Sequence, residues 1–133
     1  MNARLLAPGS VTAAALVLDE PLSLWGGLDP ATGAVAEPRH PQHGEIVTGR
    51  VLVMPAARGS SSSASVLAEA VRAGTAPAGI VIGEPDLILA IGAAVAEELY
   101  GVQLPIAVVS PAEIGQLASG VAVTIGPEGV SIS

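Results

Sequence analysis

The hydrophobic pattern changes character along the chain. Residues 11–18 (VTAAALVL) form a short apolar run stopped by Asp19-Glu20-Pro21, which predicts a strand. Residues 19–45 hold four Pro, four Gly and both His, and predict a long loop region rather than a helix or strand. The run 46–54 (IVTGRVLVM) predicts a second strand, ended by Pro55. A Gly-Ser turn then leads into helical spacing at Val66, Leu67, Ala70 and Val71, with Gly74 placed to stop the helix. AGIVIG (78–83) predicts a short buried strand. Asp86 predicts the N-cap of a helix running to Gly101, with Leu87, Ile88, Ile91, Val95 and Leu99 on its buried face. LPIAVVS (104–110) predicts another strand. Pro111 suits the first turn of a helix over 111–119, which Gly120 ends. VAVTIG and GVSIS, parted by Pro127-Glu128-Gly129, predict a closing hairpin.

Strands alternate with helices through the middle of the chain. This predicts an α/β fold with a mixed or parallel central sheet, in one domain over residues 1–133. No internal repeat is present, and the serine run 60–63 lies between strand and helix signals.

Composition narrows the chemistry. The interior must be built from 24 Ala, 16 Val, 14 Leu and 9 Ile, because Trp25 and Tyr100 are the only aromatics. Twelve carboxylates face five Arg and no Lys, for a net charge of −7. That balance argues against a nucleic-acid partner, since phosphate neutralisation needs clustered cations. The absence of Cys removes disulfides, a thiol nucleophile and thiolate ligation of zinc or an iron–sulfur cluster by this chain. No apolar run is long enough for a membrane span, and the N-terminus lacks the form of a signal peptide, so a cytoplasmic setting is expected. Charged residues make up only 13 % of the chain, which leaves little to cover a surface and raises the prospect of a covering partner.

Four segments could carry function. Arg58-Gly59-Ser60-Ser61-Ser62-Ser63 lies between a strand and a helix. Free N–H groups and the helix dipole there favour an anion, and the same field would stabilise a serine alkoxide. The alternative is a serine-capped helix with solvated neighbours. The loop is neither a Walker A sequence nor a nucleophile elbow, because no Lys follows the glycine and the G-x-S-x-G spacing is absent. Trp25-Gly26-Gly27-Leu28-Asp29 permits close approach of a ligand, or else a tight turn with Asp29 bonding its own backbone. His40 and His43 with Glu45 lack helical metal spacing and read as loop histidines bonded to backbone, with no metal held. Glu84-Pro85-Asp86 reads as a capping turn, and Glu97-Glu98 as a solvated helix face.

Five runs together resemble a known family. They are W-G-G-L-D-P-A-T-G (25–33), H-P-Q-H-G (40–44), G-R-V-L-V-M-P-A-A-R-G-S-S-S-S (49–63), A-P-A-G-I-V-I-G-E-P-D (76–86) and A-E-E-L-Y-G (96–101). In this order and spacing they resemble the swivel domain of the aconitase X family. The resemblance implies a swivelling β/β/α domain and a hydro-lyase. It implies the separate small subunit, active only with an aconitase X-type large subunit that holds an iron or iron–sulfur centre, with no cofactor bound by this chain. The implied substrate is a small hydroxy acid. cis-3-Hydroxy-L-proline, dehydrated to Δ1-pyrroline-2-carboxylate, is the first expectation and phosphomevalonate the alternative. A non-catalytic swivel-fold interaction module is the rival from another class.

The serine loop also resembles that of ordinary aconitase and isopropylmalate isomerase swivel domains, where the serine after the glycine is the base. Carried over by position, Ser60 becomes the expected base. Gly59, Ser61 and Ser62 become carboxylate-binding, and Gly26, Gly27 and Asp29 join them as substrate-facing residues. No Arg follows Ser61 as it does in those enzymes, and Arg58 is the expected replacement. The large-subunit interface is expected around the 25–45 loops and the 58–63 turn.

Overall fold

The computed structural model describes residues 1–132. In chain order the elements are β1 (Arg4–Ala7), β2 (Val11–Val17), α1 (Leu24–Gly27), β3 (Leu28–Asp29), β4 (Ala34–Val35), β5 (Val51–Met54), α2 (Ser63–Ala73), β6 (Gly79–Ile82), α3 (Leu87–Tyr100), β7 (Ile106–Val108), α4 (Pro111–Ile114), β8 (Ala122–Gly126) and β9 (Gly129–Ile132). Seven strands form one mixed sheet in the order β1-β7-β6-β5-β2-β8-β9. The central pairs β2–β5, β5–β6 and β6–β7 are parallel. The outer pairs β1–β7, β2–β8 and β8–β9 are antiparallel.

The parallel strands are buried on both sides, so their sequences are continuous apolar runs. Alternation still sorts them. Leu52, Met54, Ile80, Ile82 and Ile106 face one core together with Leu67 of α2 and Leu89 and Ala93 of α3. Val51, Val53, Val81 and Ala107 face a second core with Ile114, Leu117, Val123, Ile125 and Val130. The hairpin β8–β9 folds across this second face, where Ile125 lies so close to Gly79 that a Cβ there would stand 2.8 Å from it. The two long helices on one face and the strand layer, with the short α4 beside it, on the other make the β/β/α arrangement. β2 links the two layers, because Ala15–Val17 pair with β5 while Val11–Ala14 pair with β8.

Several expectations change. β1 had no counterpart in the pattern, because RLLA is short and becomes a strand only by pairing with β7, a hundred residues away. The strand expected at 46–54 shortens to 51–54. Gly49, at φ +71, turns the chain before it, and Ile46 makes only an isolated bridge to Ala34. The helix expected over 111–119 ends at Ile114 and continues as turns, with Gln116 and Leu117 N–H donating to Glu113 and Ile114 carbonyls.

The largest correction concerns α3. Its buried residues are Leu89, Gly92, Ala93 and Ala96, while Leu87, Ile91, Val95 and Leu99 face outward. Small residues win this contact because α2 packs backbone to backbone. A Cβ on Gly92 would meet Ala64 O at 2.9 Å and Ala64 Cα at 3.1 Å. Asp86 caps α3 as expected, its carboxylate accepting from Leu89 N–H at 3.0 Å. Gly74 and Gly101 end α2 and α3 in the left-handed region. Among the described residues no helix is long and apolar enough to cross a membrane.

Candidate active site

The serine loop leaves the carboxyl end of β5, the central parallel strand, and enters α2. Its internal bonds set its shape. Ser62 N–H donates to Ser60 Oγ at 3.2 Å, and Ser63 N–H donates to Ser60 O at 2.9 Å. Ser65 Oγ donates to Ser62 O at 2.9 Å. Ser62 stands at the N-cap position in a helical conformation, and its side chain makes no capping bond. Ser60 Oγ takes up one N–H just ahead of the helix in the manner of a capping serine, while Ser62, at the N-cap position itself, contributes no side-chain bond. Ser60 is half-buried, while Gly59, Ser61 and Ser62 are exposed. Nothing lies within 4 Å of where a Gly59 Cβ would stand, so the backbone there is open to a ligand.

The Trp-Gly-Gly segment lies against this loop. Trp25 N–H donates to Ser63 Oγ at 3.3 Å, and Ser63 is only 3 % exposed. Leu22 bridges Ala57 as a parallel pair, and Arg58 N–H donates to Leu22 O at 3.2 Å. α1 is a single turn in which Trp25 (φ −70, ψ 113) and Gly26 (φ 79, ψ −18) have type II turn dihedrals. Gly26 supplies the positive φ. Gly27 supplies room, since a Cβ there would stand 2.8 Å from Leu22 Cδ1. Asp29 is committed to its own turn: its Oδ1 accepts from Ala31 N–H at 2.9 Å, and its carbonyl accepts from Gly33 N–H at 2.7 Å.

Arg58 lines a cavity of about 270 Å³ together with Ser23, Arg39, His40, Glu20 and Glu37. Ser61 lines a different groove, between α2 and α3. Among the described residues, neither Arg58 nor Arg39 forms an ion pair, whereas Arg50 pairs with Glu45 and Arg72 with Glu69. Arg39 was not singled out by sequence. The signal for it is its neighbour His40, buried at 5 % exposure. Gln42 N–H donates to His40 Nδ1 at 3.0 Å, so the other ring nitrogen carries hydrogen and donates to Glu20 O at 3.0 Å. His43 Nδ1 bonds Glu37 O at 3.1 Å. Both histidines thus hold backbone. Among the described residues no group of three or more His, Cys, Asp or Glu could hold a metal.

Comparison with known proteins places this arrangement. A family model described as the aconitase X swivel domain matches residues 1–132. The chain belongs to that family. It is 48 % identical over 104 residues to a cis-3-hydroxy-L-proline dehydratase of Pseudomonas aeruginosa, covering 78 % of this chain and 18 % of that protein. It is 51 % identical over 82 residues to a phosphomevalonate dehydratase small subunit of Methanopyrus kandleri, covering 62 % of this chain and 61 % of that one. The chain thus spans only part of the length of these relatives. The crystal structure of Thermococcus kodakaraensis aconitase X in its holo-form superposes with a TM-score of 0.88 at 28 % identity, over 98 % of this chain and 95 % of that chain.

Proposed function

We propose that this chain is the small subunit of an aconitase X-type hydro-lyase that dehydrates cis-3-hydroxy-L-proline to Δ1-pyrroline-2-carboxylate in the cytoplasm, together with a large metal-bearing subunit. The observation that carries this reading is the backbone N–H of Ser62 donating to Ser60 Oγ at the N-terminus of an eleven-residue helix. A donor on that oxygen and the positive end of the dipole both favour its deprotonated form. The family membership and the Pseudomonas relative support the reaction class.

Loss of water from the substrate needs a base for the Cα proton and stabilisation of the enriched carboxylate as that proton leaves. Ser60 takes the proton. Gly59, Ser61 and Ser62 present backbone and hydroxyl donors to the carboxylate, and Arg58 adds charge from the adjoining cavity. Gly26 and Gly27 bring the neighbouring turn close, and Asp29 contributes through the turn it closes. The large subunit's iron or iron–sulfur centre supplies the Lewis acid for the departing hydroxyl. A second reading, a phosphomevalonate dehydratase small subunit, is favoured by relatives that bear that name as separate chains.

The test is to co-express both chains and assay water loss from each substrate. Ser60→Ala should lower kcat at least about 100-fold with the complex intact, the scale of a lost general base. Full activity of the large subunit alone, or near-normal turnover by the Ser60→Ala complex, would overturn the assignment.

A further inference from the structure

The outer face of α3 has no partner in this chain. Leu87, Ile91, Val95 and Leu99, spaced four apart, stand in one stripe with exposures of 73, 56, 39 and 64 %. Tyr100 and Val102 continue it, so six of the nine exposed large hydrophobics among the described residues belong to one helix and the loop after it. Single exposed aliphatics are ordinary, but a contiguous stripe on a monomer marks a contact surface.

Area and charge decide what covers it. A helix of this length gives a stripe about 21 Å long and roughly 10 Å wide. That falls well short of the ~800 Å² per partner that a stable interface needs, so the contact must extend beyond the stripe. It can extend in one evident direction. A groove of about 440 Å³ between α2 and α3 runs from Val95 and Tyr100 to Ser61 in the serine loop. The chain is acidic at both ends of the stripe, with Glu84 and Asp86 before α3 and Glu97 and Glu98 in its last turns, and among the described residues the one cation beside it, Arg72 near Tyr100, is neutralised by its ion pair with Glu69. Two copies pairing across the stripe would bring acid against acid in either direction. A different chain with a basic rim, large enough to reach from α3 to the serine loop, meets both conditions.

We propose that the α3 stripe is the docking face for the large subunit of the dehydratase, continuous through the α2–α3 groove with the serine loop; this rests on the subunit reading above. The interface then centres on α3 rather than on the 25–45 loops.

The experiment measures the affinity of purified large subunit for this chain by calorimetry. Ile91→Glu with Leu99→Glu should weaken binding at least about 100-fold. Unchanged circular dichroism and Tm in that variant would show the fold to be intact, as expected for side chains already in water. Ile132→Glu, an equally apolar exposed site on β9, should bind and support turnover like the wild type. Binding of the Ile91/Leu99 variant within about twofold of wild type would overturn the inference while leaving the subunit reading standing. A dimer of the isolated chain that the same substitutions dissolve, with large-subunit binding retained, would give the face to a second copy and overturn it too. If wild-type chain and large subunit do not associate, the subunit reading itself fails, and the inference with it.

Discussion

The two long helices lie side by side on the same face of the sheet, yet they are built in opposite senses. α2 buries Leu67 completely and turns Ser65 and Arg72 outward. α3 buries Gly92, Ala93 and Ala96 and turns its large aliphatics outward. Their N-termini differ as well. Asp86 closes the start of α3 with a bond from Leu89 N–H inside the helix, whereas at α2 the N-cap residue Ser62 makes no such bond and Ser60 Oγ accepts only the Ser62 N–H ahead of the helix. One helix is closed at its end and unpartnered along its side. The other is packed along its side and open at its end. A helix that serves a site must leave N–H groups and dipole free, whereas a helix that serves an interface must leave apolar area free.

Substitutions in the two helices test this contrast, beginning with the most damaging. Leu67→Ala empties the best-packed position of α2 and should destabilise the fold by roughly 2–5 kcal/mol in urea unfolding. Gly92→Val pushes side-chain atoms into the α2 backbone at Ala64 and should cost about 1–3 kcal/mol, with the helices forced apart. Were it neutral, the close helix contact would not be what turns α3 outward. Asp86→Ala removes the one side-chain cap of α3 and should cost about 1 kcal/mol in the same measurement.

A weaker effect lies at α4, whose capping box holds Glu113 below the usual carboxylate range through its bonds with the backbone and side chain of Ser110. A carboxyl depressed in the folded state stabilises above its unfolded pKa and loses that contribution as pH falls through its folded value. The Tm difference between wild type and Glu113→Gln should therefore be present at neutral pH and shrink below about pH 4.

Local signals made much of this fold legible. β2, β6, β7, the two long helices and the closing hairpin all lie where apolar runs, Asp86, Gly74 and Gly101 place them. What stayed hidden depends on distant partners. β1 is a strand only because β7 offers it an edge, and no residue of RLLA says so. Helical spacing in α3 points to Leu87, Ile91, Val95 and Leu99 as the buried face, and the structure turns them out, because hydrophobicity favours the large residues while close helix contact favours the small ones. At the site, the serine loop was visible as a strand-to-helix turn rich in hydroxyls. Its bond to Trp25 and the cavity that Arg58 shares with Arg39 were not, since both bring together segments joined by a bridge between Leu22 and Ala57, thirty-five residues apart.

β2 has a consequence for how the molecule opens. A single strand carries the ladder bonds of both layers, with Val11–Ala14 in one and Ala15–Val17 in the other. Leu18 N–H donates to Val53 O, and Ala15 N–H to Val121 O, at either side of the join. The hairpin layer thus cannot separate from the parallel sheet by sliding between two elements; the strand itself would have to unravel. Amide protons at the join in β2 should therefore exchange with solvent only through global unfolding, as those of the central strands β5 and β6 do, while those of the edge strands β1 and β9 escape by local fraying.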